Sequence, residues 1–310
     1  MTTALITHPA CLEHDTGPFH PESPDRLRAV LAALETEEFT ALLRELAPEA
    51  TIEQLTRVHP ANYVEAILSI QPESGEQVPL DGDTLMSEGT AQAALRAAGA
   101  AVMGVDAVME GWARSAFAAV RPPGHHAEAQ RPMGFCFFNN AAVAALHARE
   151  RWGVKRVAVV DFDVHHGNGT QDIFESDPDL FYASSHQSPC YPGTGDASER
   201  GTANNILNVP LRPGDGSAAF RLAWGREIIP ELDRFAPGLL IISAGFDGHK
   251  ADPLAQLRLE TADYGWITQE LVRVAERHCG GRVVSVLEGG YDLHALAASA
   301  VAHVRALMRA

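Results

Sequence analysis

A chain of 310 residues, 46% hydrophobic and 21% charged, has the balance of an ordinary globular protein, with room for one large α/β domain or two smaller ones. Its formal net charge of -16 argues against nucleic acid as a partner and would favour a basic substrate if the field reaches the site. The four cysteines, Cys11, Cys136, Cys190 and Cys279, form no Cys-x-x-Cys pair, which argues against a cysteine zinc site or redox pair and fits a reduced cytoplasm. The N-terminal apolar run is too short for a signal peptide, and no apolar stretch approaches a membrane span.

Ala4 to Thr7 reads as a first short strand. In His20-Pro-Glu-Ser-Pro-Asp-Arg26, Ser23 or Asp25 can cap a helix with Pro24 in its first turn, and Leu27, Val30, Leu31 and Leu34 follow at helical spacing. His59 to Ile70 predicts a helix and Gln71 to Asp83 a loop. Ser87 to Glu110 predicts a long Ala-rich helix whose glycines suggest close packing. Strands are then predicted at Ala116 to Val120, Arg156 to Asp161, Leu180 to Ser184, Ile206 to Val209, Leu239 to Ser243 and Arg282 to Leu287. Helices are predicted at Asn140 to Arg151, Ser217 to Phe235, Asp263 to His278 and Leu293 to Met308. Ser185 to Asn205 is a long loop rich in Gly, Pro and Ser, of a length that is usually functional. The alternation predicts an α/β fold with a mostly parallel sheet and helices on both faces. Nothing in the sequence resembles a linker or repeat, so residues 1–310 read as one domain.

Four predicted strand ends carry polar residues that a packed core does not need. In Arg121-Pro-Pro-Gly-His-His126 the prolines end the first of them, because neither can donate to a sheet ladder, and leave His125 and His126 at the strand end. In Asp161-Phe-Asp-Val-His-His-Gly-Asn-Gly169, Asp161, Asp163 and His165 alternate and would face the same way in an extended segment. Two carboxylates and an imidazole converging there suggest a divalent metal, with one member free to orient a neighbouring histidine. Asp247 can complete a set of three ligands with Asp163 and His165. Glu288-Gly-Gly-Tyr291 can aim its phenol inward. Three protein ligands leave a position open for water. A metal lowers the pKa of that water, a histidine can move its proton, and a phenol can donate to a developing oxyanion. The residues alone therefore point to metal-assisted hydrolysis of an amide or ester.

At this point the sequence resembles the histone deacetylase superfamily, which includes bacterial histone deacetylase-like amidohydrolases and acetylpolyamine amidohydrolases. The stretches that carry the resemblance are His20 to Arg26, Arg121 to His126, Gly134 to Asn140, Asp161 to Gly169, Pro192 to Gly195, Ala244 to Asp247 and Glu288 to Tyr291, in family order. Asn168 and Phe137-Phe-Asn-Asn140 look like the class II branch. The resemblance implies an arginase-like α/β fold and zinc held by Asp163, His165 and Asp247. It implies His126 as general base and acid supported by Asn168, His125 paired with Asp161 as electrostatic support, and Tyr291 as oxyanion donor. Gly134 belongs to the stretch that leads into an implied acyl-lysine channel walled by Phe135 and Tyr191, the latter where phenylalanine is common. The implied rim aspartate is Asp81 or Asp83, with Asp83 favoured. Potassium is implied beside the zinc, through Asp161, Asp163 and His165, with Ser184 contributing.

The implied reaction removes acetyl or another short acyl group from the lysine ε-amine of proteins or peptides. The alternative is hydrolysis of a small acylated amine such as an acetylpolyamine. Polyamine-selective relatives can carry an acidic gatekeeper after the Asp-Pro pair; here Asp252-Pro253 is followed by the apolar Leu254, which weakens that alternative. A dimanganese ureohydrolase would need a second Asp-x-Asp pair, and the residue two after Asp247 is His249. A catalytically dead binding module is disfavoured, because every proposed catalytic position holds a competent residue. The Asp/His/Asp set is oxygen-rich, so iron(II) stands beside zinc as the metal in the cell. The sequence leaves a homo-oligomer open.

Overall fold

The computed structural model describes residues 2–309. The chain begins with β1 (Thr3–Thr7), α1 (Pro24–Ala33), β2 (Leu43–Leu46), α2 (Ile52–Thr56) and α3 (Ala61–Ser69). A small antiparallel ladder of β3 (Val78–Pro79) and β4 (Leu85–Met86) precedes the long α4 (Thr90–Glu110). Strand and helix then alternate through β5 (Ser115–Ala118), α5 (Asn140–Trp152), β6 (Val157–Asp161), α6 (Asn168–Phe174), β7 (Leu180–Gln187) and β8 (Ile206–Leu211). The last elements are α7 (Ser217–Ala223), α8 (Ile229–Phe235), β9 (Leu239–Ala244), α9 (Thr261–His278), β10 (Val283–Leu287) and α10 (Leu293–Met308).

Eight strands form one sheet in the order β2-β1-β5-β10-β9-β6-β7-β8, and every pairing in it is parallel. The antiparallel pairing sits apart, in the β3–β4 ladder. β6, β9 and β10 are buried along their whole length, which is why they read as continuous apolar runs. α4 and α5 pack together on one face of the sheet, and α1, α10, α9 and α8 on the other. Among the described residues, no helix is long and apolar enough to cross a membrane.

Several elements differ from expectation for local reasons. β2, Leu43-Arg-Glu-Leu46, is an exposed edge strand with no apolar signal. α2 is held by a capping box between Thr51 and Gln54. Asp25 is not the cap of α1: the helix starts at Pro24, Asp25 lies in its first turn, and Ser23 occupies the N-cap position without a side-chain bond. The predicted helix from Ser217 to Phe235 carries a π turn at Trp224–Ile228, because Pro230 has no N–H for the Arg226 carbonyl. α4 runs unbroken through Gly99, where a Cβ would lie 1.9 Å from the Pro48 carbonyl oxygen.

β5, β10, β9 and β6 are neighbours at the centre of the sheet. Being parallel, they open their C-terminal ends on the same side, where open α/β sheets place their ligands.

Candidate active site

β6 ends at Asp161, and that carboxylate organises the turn after it. It accepts the Asp163 backbone N–H at 3.0 Å, His125 Nδ1–H at 3.0 Å and the Tyr182 hydroxyl at 3.1 Å. Asp163 accepts the N–H of His165 at 2.9 Å and, from the loop after β10, the N–H of Gly289 at 2.8 Å. Asp247, just past β9, accepts the N–H of Val164 at 2.8 Å. His165 Nδ1 stands 3.1 Å from Asp163 Oδ1 and 3.1 Å from Asp247 Oδ2. The glycine at 289 has a steric reason: a Cβ there would lie 2.0 Å from Asp247 Oδ2.

Asp163, His165 and Asp247 are all buried, and each offers one ligand atom within 4.8 Å of the others. Burial and the neighbouring Asp163 charge push the Asp247 carboxyl up to about 7. Two carboxylates confined this way are costly as anions unless a cation joins them. The three residues therefore fit a divalent metal ion, and their two-oxygen, one-nitrogen donor set suits zinc, iron(II) and similar ions.

His125 and His126 lie with ring centroids 4.0 Å apart and their planes tilted by 45°, yet they have opposite surroundings. Burial alone would lower His125, but Asp163 and Asp161 outweigh it and raise its pKa to about 10. His126 is pushed well below the usual histidine range by burial and by the charges of His125 and His165. Its Nδ1–H donates to Asn168 Oδ1 at 2.8 Å, so Nε2 is left as the acceptor nitrogen on a ring that lines the pocket.

That pocket has a volume of about 280 Å³. His126, His165 and Tyr291 line it beside Gly134 and Cys190, with Phe135 and Tyr191 as aromatic walls. The half-exposed Leu254 and Asp83 complete the lining. Of the two candidate aspartates, Asp83 lines the pocket, whereas Asp81 is exposed and caps a turn by accepting the N–H groups of Asp83 and Thr84. Phe135 has φ 68, a left-handed conformation costly for a bulky residue. It is held there by donating its N–H to Thr84 Oγ1 at 3.1 Å and by edge contacts with His20 and Tyr291. Tyr191 stands edge-on to His126, centroids 5.1 Å apart.

Tyr291 is half-buried, and burial raises its phenol well above the ordinary tyrosine value. The Arg26 guanidinium lies 4.8 Å from its ring centroid and donates to the Gly290 and Glu288 carbonyls. Glu288 accepts the backbone N–H groups of Gly124 at 2.7 Å and His125 at 3.1 Å, clamping the histidine loop to the end of β10. Ser184 faces Asp161 in register, and its hydroxyl pairs with His186 Nδ1 at 2.9 Å. Sequence reasoning gave no role to Tyr182, Glu288, Arg26 or Asp252. Tyr182 sits inside an apolar strand and sends no signal; Arg26 reads as part of a helix start, although its partner carbonyl at Gly290 is 264 residues away.

Residues 20–307 match the histone deacetylase domain family. This chain belongs to the histone deacetylase family. It is 42% identical to histone deacetylase 14, chloroplastic, of Arabidopsis thaliana, over 93% of this chain and 73% of that protein. It is 41% identical to the histone deacetylase-like amidohydrolase of Pseudomonas aeruginosa, over 94% of this chain and 82% of that one. The crystal structure of the HDA15 HD domain superposes with a TM-score of 0.93 at 38% identity, covering 99% of this chain and 88% of that one. The histone deacetylase fold and a deacetylase or amidohydrolase activity follow from this membership.

Proposed function

We propose that this chain is a metal-dependent deacylase that removes acetyl, or another short acyl group, from lysine ε-amines in proteins or peptides. The observation that carries the reading is the pocket: its aromatic walls Phe135 and Tyr191 suit an alkyl stem, and His126, His165 and Tyr291 line the same space. Leu254 adds an apolar wall where an acidic side chain would suit a polycation.

A zinc ion held by Asp163, His165 and Asp247 would supply a Lewis acid and a water of lowered pKa; iron(II) fits the same donors. His126 Nε2 takes the proton of the attacking water and returns it to the leaving amine. Asn168 holds the opposite nitrogen of that ring. His125, held charged by Asp163 and Asp161, adds positive potential beside the reacting carbonyl. The Tyr291 phenol donates to the oxygen that gains charge. Asp83 is placed to accept from a substrate amide at the rim. A potassium ion beside Asp161 and Ser184 would stiffen the strand ends that carry these ligands.

The test is to profile the purified, metal-loaded protein against acetyl-lysine peptides, acetylpolyamines and longer acyl-lysines. The proposal expects the highest kcat/KM on a short acyl-lysine peptide; a preference for acetylpolyamines would replace it with the small-amine reading.

A further inference from the structure

The amide of Asn168 can be placed either way round, and only one way serves a general base. With Oδ1 toward His126, Nδ1 must carry the proton and Nε2 is free to accept one. Flipped, the amide would point N–H groups at Nδ1, the ring would carry its proton on Nε2, and it could not take another from water.

The surroundings of Nδ2 decide between the two. It lies 2.8 Å from Glu128 Oε1, 3.3 Å from Met133 Sδ and 3.4 Å from the His126 carbonyl oxygen, all of them acceptors. Glu128 is the closest and the only charged one. A flipped amide would set its carbonyl oxygen against that carboxylate at hydrogen-bond distance. Glu128 is itself held: Arg131 Nε donates to Oε2 at 3.0 Å and Arg131 Nη2 to Oε1 at 2.6 Å, and the Glu128 N–H bonds the Arg131 carbonyl at 3.1 Å.

We infer that Glu128 is a positioning residue: by accepting from Asn168 Nδ2 it fixes the orientation of that amide and, through it, the tautomer of His126. The inference rests on the reading of His126 as general base. An aspartate at position 168 would need no such device, since either carboxylate oxygen accepts; an asparagine does.

Four variants test it, each measured for kcat, KM, bound metal and melting temperature. Glu128→Ala lowers kcat about tenfold, part of the roughly 10²–10⁴ that a positioned base contributes, and leaves KM and bound metal unchanged. Glu128→Gln breaks the charge pairing with Arg131 but keeps an acceptor for Nδ2, and recovers most of that loss. Asn168→Asp alone sets two carboxylates against each other and is slow. Combined with Glu128→Ala the repulsion is gone, the new carboxylate accepts from Nδ1, and the double variant is faster than either single one. A wild-type kcat for Glu128→Ala, a Glu128→Gln variant as slow as Glu128→Ala, or a double variant no faster than its parents overturns the inference. His126→Ala separates it from its premise. If that variant turns over undiminished, the base reading fails and takes this inference with it. If it is inactive while Glu128→Ala is fast, only the inference about Glu128 fails.

Discussion

The Asp252 carboxylate accepts the backbone N–H of Tyr291 at 2.7 Å. Its other oxygen accepts the N–H of Leu254 at 3.0 Å, so one side chain ties the loop after β9 to the loop after β10. That tie sets the Tyr291 phenol and the Leu254 wall on the same pocket. Tyr291→Phe keeps the ring, its contact with Phe135 and the backbone bond to Asp252. It should lower kcat by roughly 10²–10³-fold, the usual effect of removing one oxyanion donor, with metal content and melting temperature nearly unchanged. Lower stability with a normal kcat would make Tyr291 a packing residue.

Asp163, His165 and Asp247 predict a metal dependence shared by activity and stability. Asp247→Ala and His165→Ala should each lose bound metal and turnover together, because two remaining donors hold the ion poorly. A chelator should lower the melting temperature of the wild type, since an ion that binds only the folded chain stabilises it. Restoring a divalent ion should reverse this. A variant with one metal per chain and a normal rate would show that the ligands are misassigned.

Leu254 predicts substrate preference. It is 39% exposed on the pocket wall, so a charged replacement stays solvated and leaves the fold intact. Leu254→Glu should shift the ratio of kcat/KM for acetylpolyamine over acetyl-lysine peptide upward by roughly fivefold, matching the ~1 kcal/mol upper range of an exposed ion pair. An unchanged ratio would remove Leu254 from specificity.

His303 predicts an acid-sensitive stability term away from the site. It is fully buried between Thr268 Oγ1 at 2.6 Å and Ser285 Oγ at 2.8 Å, and burial lowers its pKa from 6.5 to about 3. Between those values the unfolded chain binds the extra proton, so this contribution is full above the unfolded pKa and is lost as pH falls through the window. The loss is about 1.4 kcal/mol per pH unit from that residue. Denaturation midpoints at pH 7.5 and 5.5 should fall less for His303→Gln than for the wild type. An equal fall would mean that His303 is not buried as a neutral ring.

Much of the fold was legible because parallel strands buried on both faces leave unbroken apolar runs, as in Val157 to Val160 and Leu239 to Ile242. The site residues stood out because a packed core has no use for His125, His126, Asp163 or Asp247 at strand ends. What stayed hidden depends on partners distant in sequence. Glu288 looks like a turn residue until the Gly124 N–H reaches it from the loop after β5. Tyr182 looks like core until its hydroxyl meets Asp161. β2 escaped notice because an exposed edge strand needs no apolar pattern. The π turn in the helix from Ser217 to Phe235 was signalled by Pro230, but a proline there is equally compatible with a kink or a new helix start.

The most direct test is to measure acetate release from an acetyl-lysine peptide by metal-loaded protein, with and without a saturating hydroxamate. The account predicts one acetate for each free lysine formed, and turnover abolished when the hydroxamate chelates the ion held by Asp163, His165 and Asp247. Undiminished acetate release at saturating hydroxamate would contradict it.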